Sequence, residues 1–285
     1  MGFRTIVVKN RCKLDLKMNY LVCRCEQETK VFIPEISYLI LESTAISITT
    51  ALISELVKNK VKIIFCDEKH SPESELLPLY GSHNTSKKIK MQIAWKDDVK
   101  ARVWAKIVEM KIKNQSRLLK KYGHFNEGQL LDKYVEEIEL NDATNREGHS
   151  AKVYFNALFG MDFSRGEFTK TNSALNYGYT ILLSCFNREI VKCGYITQLG
   201  IWHKNEFNDF NLGCDLMEPF RPLIDEIALN LQENDDFKAK MLQIFEKQLK
   251  ICDKLQYFEN AISIYCQRIF EALEEGDARL ICNYE

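Results

Sequence analysis

The 285 residues are 46% hydrophobic and 28% charged, with only 12 Gly and 5 Pro, a chain long enough for about two domains and a substantial core. No apolar run approaches the roughly 20 residues a membrane helix needs, and Met1-Gly2-Phe3-Arg4-Thr5 leads into strand-like alternation instead of a signal peptide. A membrane or exported protein is not expected, and the expected compartment is the cytoplasm. The first part of the chain then reads as β. Residues 3–9, 12–17 and 20–25 alternate as short strands, with Asn10-Arg11 and Met18-Asn19 as tight hairpin turns. Two more strands are expected at Lys30–Ile33 and Tyr38–Glu42, on either side of Pro34. Ile46, Ile48, Ala51, Leu52, Leu56 and Val57 predict an amphipathic helix closed by Lys58-Asn59-Lys60. A buried strand follows at Val61–Cys66, and a last one at Leu77–Tyr80. Gly81 to Ser86 reads as a linker. Beyond it the period is helical, with helices expected over 86–96, 98–121, 126–140, 145–159, 169–192, 220–232, 236–251 and 255–274. The expected fold class is therefore an α+β multidomain protein: a small N-terminal β domain with one helix over 1–80, a linker over 81–86, and a larger all-α domain over 87–285.

Ten cysteines fall at 12, 23, 25, 66, 185, 193, 214, 252, 266 and 282, with no C-x-x-C pair. Several lie inside apolar runs, such as Cys66 in Ile63-Ile64-Phe65-Cys66. They read as reduced, mostly buried thiols, and the spacing does not favour a zinc site.

The near-neutral total charge of −1 conceals a division. Lys87 to Tyr122 holds twelve Lys/Arg against three acids, whereas Cys214 to the end holds fifteen acids against eight bases. On a helix, Lys96, Lys100, Lys106, Lys113 and Arg117 can share a side, while Val103, Trp104, Ile107, Met110 and Leu118 point inward. A solvated helix face explains this for a generic protein; a track along a phosphate backbone explains the concentration of charge better.

Three further segments carry possible chemistry. Thr144-Asn145-Arg146-Glu147 has the form of a capping box, yet Gly148 in the first helical turn is unfavourable by roughly 1 kcal/mol relative to Ala. Close approach of an ion or phosphate to the backbone would account for it. Gly200-Ile201-Trp202-His203 places a histidine in a loop. Asp215-Leu216-Met217-Glu218-Pro219 puts two carboxylates three residues apart, on one face if the helix runs through, although Pro219 is expected to kink or restart it at Glu218. Together these segments supply Glu, His and Glu/Asp, a donor set suited to Mg²⁺ or Mn²⁺. A hard divalent ion beside a basic track implies phosphodiester chemistry.

These motifs, with Asn172-Ser173-Ala174-Leu175-Asn176-Tyr177-Gly178-Tyr179 between them and Phe220-Arg221-Pro222 after them, occur in an order that resembles a known family. It is that of the CRISPR-associated endonuclease/integrase, the metal-dependent core subunit of the spacer-acquisition (adaptation) complex, in its type II-like form. The resemblance covers essentially the whole chain. It implies an N-terminal β domain that dimerises and a helical domain that cuts and joins DNA. It implies metal ligands at Glu147, His203 and Glu218, with Asp215 as a further catalytic acid. It also implies a homodimeric chain, two dimers bridged by a dimer of a small ferredoxin-like subunit, acting on double-stranded DNA. Lys152, Tyr154 and Lys204 are expected to join the basic track as DNA contacts, Asn145 and His149 to hold phosphate or complete the ion's shell, and Asn176 and Tyr177 to line the same site. Two other readings stand beside this one: a stand-alone structure-selective repair nuclease acting on branched DNA, and a non-catalytic DNA-binding scaffold.

Overall fold

The structure is a computed structural model that describes residues 2, 4–25, 27–79 and 82–285. The chain divides into two compact units, Met1–Tyr80 and Gly81–Glu285. The first contains β1 (Arg4–Val8), β2 (Cys12–Lys17), β3 (Tyr20–Arg24), β4 (Glu28–Phe32), β5 (Ile36–Leu41), β6 (Ile46–Ile48), α1 (Thr50–Lys58), β7 (Lys62–Cys66) and β8 (Pro72–Glu75). They form two four-stranded sheets, ordered β1-β5-β7-β8 and β4-β3-β2-β6. β5 lies between β1 and β7, parallel to both, and is buried along its whole length. Its unbroken sequence ISYLIL is what a strand covered on both faces requires. Leu14, Leu21, Leu39, Leu52, Leu56 and Ile63 meet in one core.

One turn expectation holds in this unit and three local expectations change. Met18-Asn19 does close a hairpin, with both φ values positive and β2 antiparallel to β3. Asn10-Arg11 does not, because β1 pairs with β5 in the other sheet. The helix expected from Ile46 begins only at Thr50, since Ile46–Ile48 is taken up as an edge strand beside β2. The last strand is Pro72–Glu75 and not Leu77–Tyr80, whose final residue lies outside the described ones. A buried ion pair, Lys62 Nζ to Glu75 Oε1 at 2.6 Å, joins this polar strand to β7.

The second unit contains α2 (Thr85–Ile93), α3 (Asp97–Lys121), α4 (Phe125–Glu136), α5 (Arg146–Phe159), α6 (Lys170–Lys192), α7 (Asn211–Met217), α8 (Arg221–Leu229), α9 (Phe237–Leu242), β9 (Gln248–Ile251), β10 (Lys254–Tyr257) and α10 (Phe258–Glu275). The expected linker is shorter than its range, because helix begins at Thr85. The long helices α3, α6 and α10 supply most of the core, where the rings of Phe186, Phe220 and Tyr265 meet edge to face. The helix expected over 236–251 stops at Leu242. A 3-10 turn and the hairpin β9–β10 replace its second half, closed by Cys252 and Asp253 at positive φ. Alternation of buried Leu249 and Ile251 with exposed Gln248 and Lys250 is the strand signal that the helical period masked. Among the described residues, no helix is long and apolar enough to cross a membrane.

Candidate active site

The site is built from α3, the start of α5, the 201–203 loop and the junction of α7 with α8. On α3, Trp104 and Lys111 are two turns apart and face inward. Lys111 is buried, and its ammonium contacts Glu147 Oε1 and lies 2.5 Å from Glu218 Oε2. Burial alone would lower the Lys111 pKa, but the two carboxylates outweigh it and raise it above the usual lysine value.

Glu147 is free for this role because it does not cap its own helix. The expected Thr144–Glu147 capping box is absent: Thr144 Oγ1 donates to the Glu137 carbonyl at 3.0 Å. Asp142 caps α5 instead, accepting from Arg146 N at 2.8 Å and Glu147 N at 3.0 Å. Asn141, Asp142 and Asn145 all sit at positive φ, a region short Asn and Asp side chains tolerate. What approaches Gly148 is the Asn145 amide, whose Oδ1 would lie 2.8 Å from an added Cβ.

Glu218 is held by the Pro219 break. The backbone stays helical at Glu218 but tightens to a 3-10 turn, Glu218–Phe220, before α8 begins. Asn114 of α3 donates to the Pro219 carbonyl at 2.8 Å and so ties this turn to α3. Glu218 Oε1 accepts from Arg221 Nε at 2.8 Å. Burial would raise the Glu218 carboxyl, but Arg221 and Lys111 overcome it and hold its pKa at about 2.

His203 is oriented by Asp215, which is fully buried. Asp215 Oδ2 accepts from the backbone N–H of Ile201 at 2.6 Å and of Trp202 at 3.0 Å; Oδ1 accepts from His203 N at 3.1 Å and His203 Nδ1 at 2.5 Å. This bond, against the opposing effect of partial burial, raises the His203 pKa above its ordinary value, with Asp215, Glu218 and Glu147 adding to it by charge. Gly200 is required for the loop to close, because a Cβ there would stand 2.4 Å from the His203 carbonyl oxygen and 2.7 Å from Asp215 Oδ2. Trp202 stacks on Trp104, centroids 5.7 Å apart, and Trp104 meets His203 edge-on.

Glu147 and Glu218 are thus brought together across Lys111, with His203 close enough to be influenced by both. The three donor atoms do not all lie within 4.8 Å of one another; Lys111 stands between the carboxylates. The residues nonetheless fit a hard divalent cation. The ammonium marks a point where positive charge is favoured, and the buried Glu218 Oε2 has that ammonium as its counter-charge. Two carboxylates and an imidazole with Nδ1 already committed form a suitable donor set.

Other expected site residues lie differently. Asp215 has both oxygens committed to the loop and the imidazole, so it positions His203. Tyr154, expected as a DNA contact, is completely buried and donates to Asp225 Oδ2 at 2.8 Å. Tyr177 is buried with its ring edge-on to Phe237, while the exposed Asn176 accepts from Arg165 at 2.7 Å. On the basic track, Lys106 and Lys113 both pair with Glu109, at 2.9 and 2.6 Å. Lys100 pairs with Asp97 at 2.7 Å, and Arg117 donates to the Tyr284 carbonyl at 2.8 Å. Lys96, Lys152, His149 and Lys204 are exposed, and Lys100 and Lys204 line one open groove with Asp97 and Trp202. Sequence reasoning missed Lys111 and Arg221 as site residues. A signal for Lys111 existed, since it falls on the apolar stripe of Trp104, Ile107, Val108 and Leu118.

This chain, a β unit followed by a helical unit in which two acids meet on a buried ammonium, is similar to a family of known proteins. The family described as CRISPR associated protein Cas1 matches residues 5–255. Among solved structures, a Cas6-RT-Cas1–Cas2 complex aligns over 98% of this chain with a TM-score of 0.76 and 18% identity; the present chain spans 36% of that one. A casposase bound to integration product aligns over 96% of this chain and 91% of its own, with a TM-score of 0.74 and 16% identity. The chain therefore has the fold shared by these proteins. A CRISPR-associated endonuclease Cas1 from Neisseria meningitidis serogroup C (strain 8013) is 33% identical over 242 residues, 85% of this chain and 80% of the relative. The chain belongs to the Cas1 family.

Proposed function

We propose that this chain is a divalent-metal-dependent DNA endonuclease and integrase of CRISPR spacer acquisition, joining the 3′ ends of short foreign DNA fragments into a repeat array. The observation that carries the reading is the junction of Glu147 and Glu218 on one buried ammonium, beside a histidine oriented by a buried aspartate. Glu147, Glu218 and His203 would hold Mg²⁺ or Mn²⁺, whose chemistry here is Lewis-acid activation of a phosphodiester. Asp215 keeps the imidazole proton on Nδ1 and leaves Nε2 as the donor atom. Arg221 keeps Glu218 ionised at any ordinary pH. Lys100 and Lys204, in the groove beside Trp202, are placed to take DNA phosphates. The attacking group is a 3′-hydroxyl in joining and water in cutting, and in both the displaced 3′-oxygen leaves in line with it. The names of the endonuclease relative and of the Cas1–Cas2 complex support the endonuclease part of this reading and a Cas2-type partner; we take that partner to be the small ferredoxin-like subunit. We further propose a homodimer through 1–80, two such dimers bridged by a dimer of the partner, and double-stranded DNA as substrate.

The test is strand joining by Glu147→Ala, His203→Ala and Glu218→Ala. Each is expected to abolish joining while the protein remains folded and binds DNA. Near-normal activity of His203→Ala in both Mg²⁺ and Mn²⁺ would overturn the ligand set. Joining that requires the partner supports this reading, whereas cutting of branched DNA without any partner supports a stand-alone repair nuclease.

A further inference from the structure

The N-terminal unit holds a second group of metal-ligating side chains, unrelated to the carboxylate site. The Met18-Asn19 turn sets β2 against β3 with Lys13 opposite Arg24. Continued one step past the end of β3, that register brings Cys12 beside Cys25. Cys23, two residues back on the same strand, shares their face because strand side chains alternate. Spacing along the sequence hides this trio; the hairpin register assembles it. The three Sγ atoms all lie within 4.8 Å of one another, and Cys23 and Cys25 are 3.4 Å apart. All three thiols are free.

Packing explains only part of this arrangement. Cys12 is buried and belongs to the core, Cys23 is partly covered, and Cys25 is exposed. Exclusion from water therefore gives no reason for the third thiol to join the other two. Tetrahedral ligation at the usual Zn–S length of about 2.3 Å needs sulfurs about 3.8 Å apart, within the span these side chains already occupy. The exposed side at Cys25 leaves room for a fourth donor from solvent. We propose that Cys12, Cys23 and Cys25 form a three-thiolate site for a thiophilic d¹⁰ cation such as Zn²⁺, which ties the open end of the β2–β3 hairpin together. The soft sulfur set separates it from the hard-ion site of the helical unit.

The experiment is a Co²⁺ titration of the full-length protein, purified anaerobically and kept reduced without added thiols. The expected result is sulfur-to-metal charge-transfer absorption that saturates at a single equivalent and is displaced by Zn²⁺. The Glu147, His203 and Glu218 donors contain no sulfur and cannot produce that band. Because Cys12→Ser alters the core, the decisive variant is Cys25→Ser, which changes an exposed side chain. It is expected to weaken Co²⁺ binding at least about tenfold, while Cys252→Ser leaves the titration unchanged. Absence of the sulfur band in the parent protein, an undiminished Co²⁺ affinity in Cys25→Ser, or loss of the band in Cys252→Ser would each overturn the assignment.

Discussion

Replacing Asp215 by Asn preserves shape while removing a charge at the most heavily committed carboxylate of the site. Two N–H groups donate to each of its oxygens. An amide can accept on only one side, so its NH₂ must face either the Ile201 and Trp202 amides or the His203 backbone and ring N–H. Two hydrogen bonds to a charged acceptor are lost, each worth about 1.5–3 kcal/mol, and the other two weaken. The expected destabilisation is about 3–6 kcal/mol, a large share of the stability of an ordinary domain. Urea unfolding followed by tryptophan fluorescence measures it, since the Trp104–Trp202 stack rests on this loop. The imidazole provides an independent readout. Asp215 raises the His203 pKa, so this contribution is complete below the unfolded value near 6.5 and disappears as pH rises through the folded value. The gap between parent and variant should therefore narrow at alkaline pH, and the His203 NMR titration should move to lower pH in the variant. A variant within about 1 kcal/mol of the parent, with His203 titrating unchanged, would show that Asp215 does not organise the loop.

Lys111→Met leaves Glu147 and the buried Glu218 facing each other without their shared ammonium, which is expected to cost about 3–5 kcal/mol without metal. Millimolar Mg²⁺ or Mn²⁺ should then raise the variant's Tm more than the parent's; an equal rise would count against a cation position between the two acids. Reversing Lys96, Lys100 and Lys106 to Glu should weaken binding to unrelated duplexes alike and flatten the plot of log K against log salt by about 0.9 per lost contact. An unchanged slope would mean that the pairs with Asp97 and Glu109 are all these lysines provide. Burial, opposed by bonds from Tyr179 and Tyr154, raises the Asp225 pKa from 3.8 to about 6. The folded state therefore binds this proton more tightly, and stability is lost as pH rises from about 4 to about 6. Asp225→Asn should remove that loss, shifting the stability difference in the variant's favour by about 3 kcal/mol across the window, as urea unfolding at several pH values would measure. A difference independent of pH would refute it.

Much of the molecule was legible in its one-dimensional pattern, because hydrophobic period is a local property. Period-2 segments to about residue 80 and period-3.6 segments beyond it define a β unit and a largely helical one, and the Met18-Asn19 pair identifies its own hairpin. Glu147, His203 and Glu218 stood out by residue type and by the motifs around them. Partnerships set by distant segments were not legible. Asn10-Arg11 has the composition of a hairpin turn, but β1 gains more by joining β5, and Ile46–Ile48 looks helical until β2 offers it an edge. The acids' shared counter-charge lies 36 and 107 residues from them, on α3. Lys111 belongs to the basic segment by composition, although its place on the apolar stripe points inward. The cysteines follow the same rule, since Cys12 and Cys25 become neighbours only when the strands pair. Local sequence determines which faces are apolar and where the chain turns; only tertiary packing decides which buried charges and thiols must answer one another, because desolvation acts on groups that meet in space.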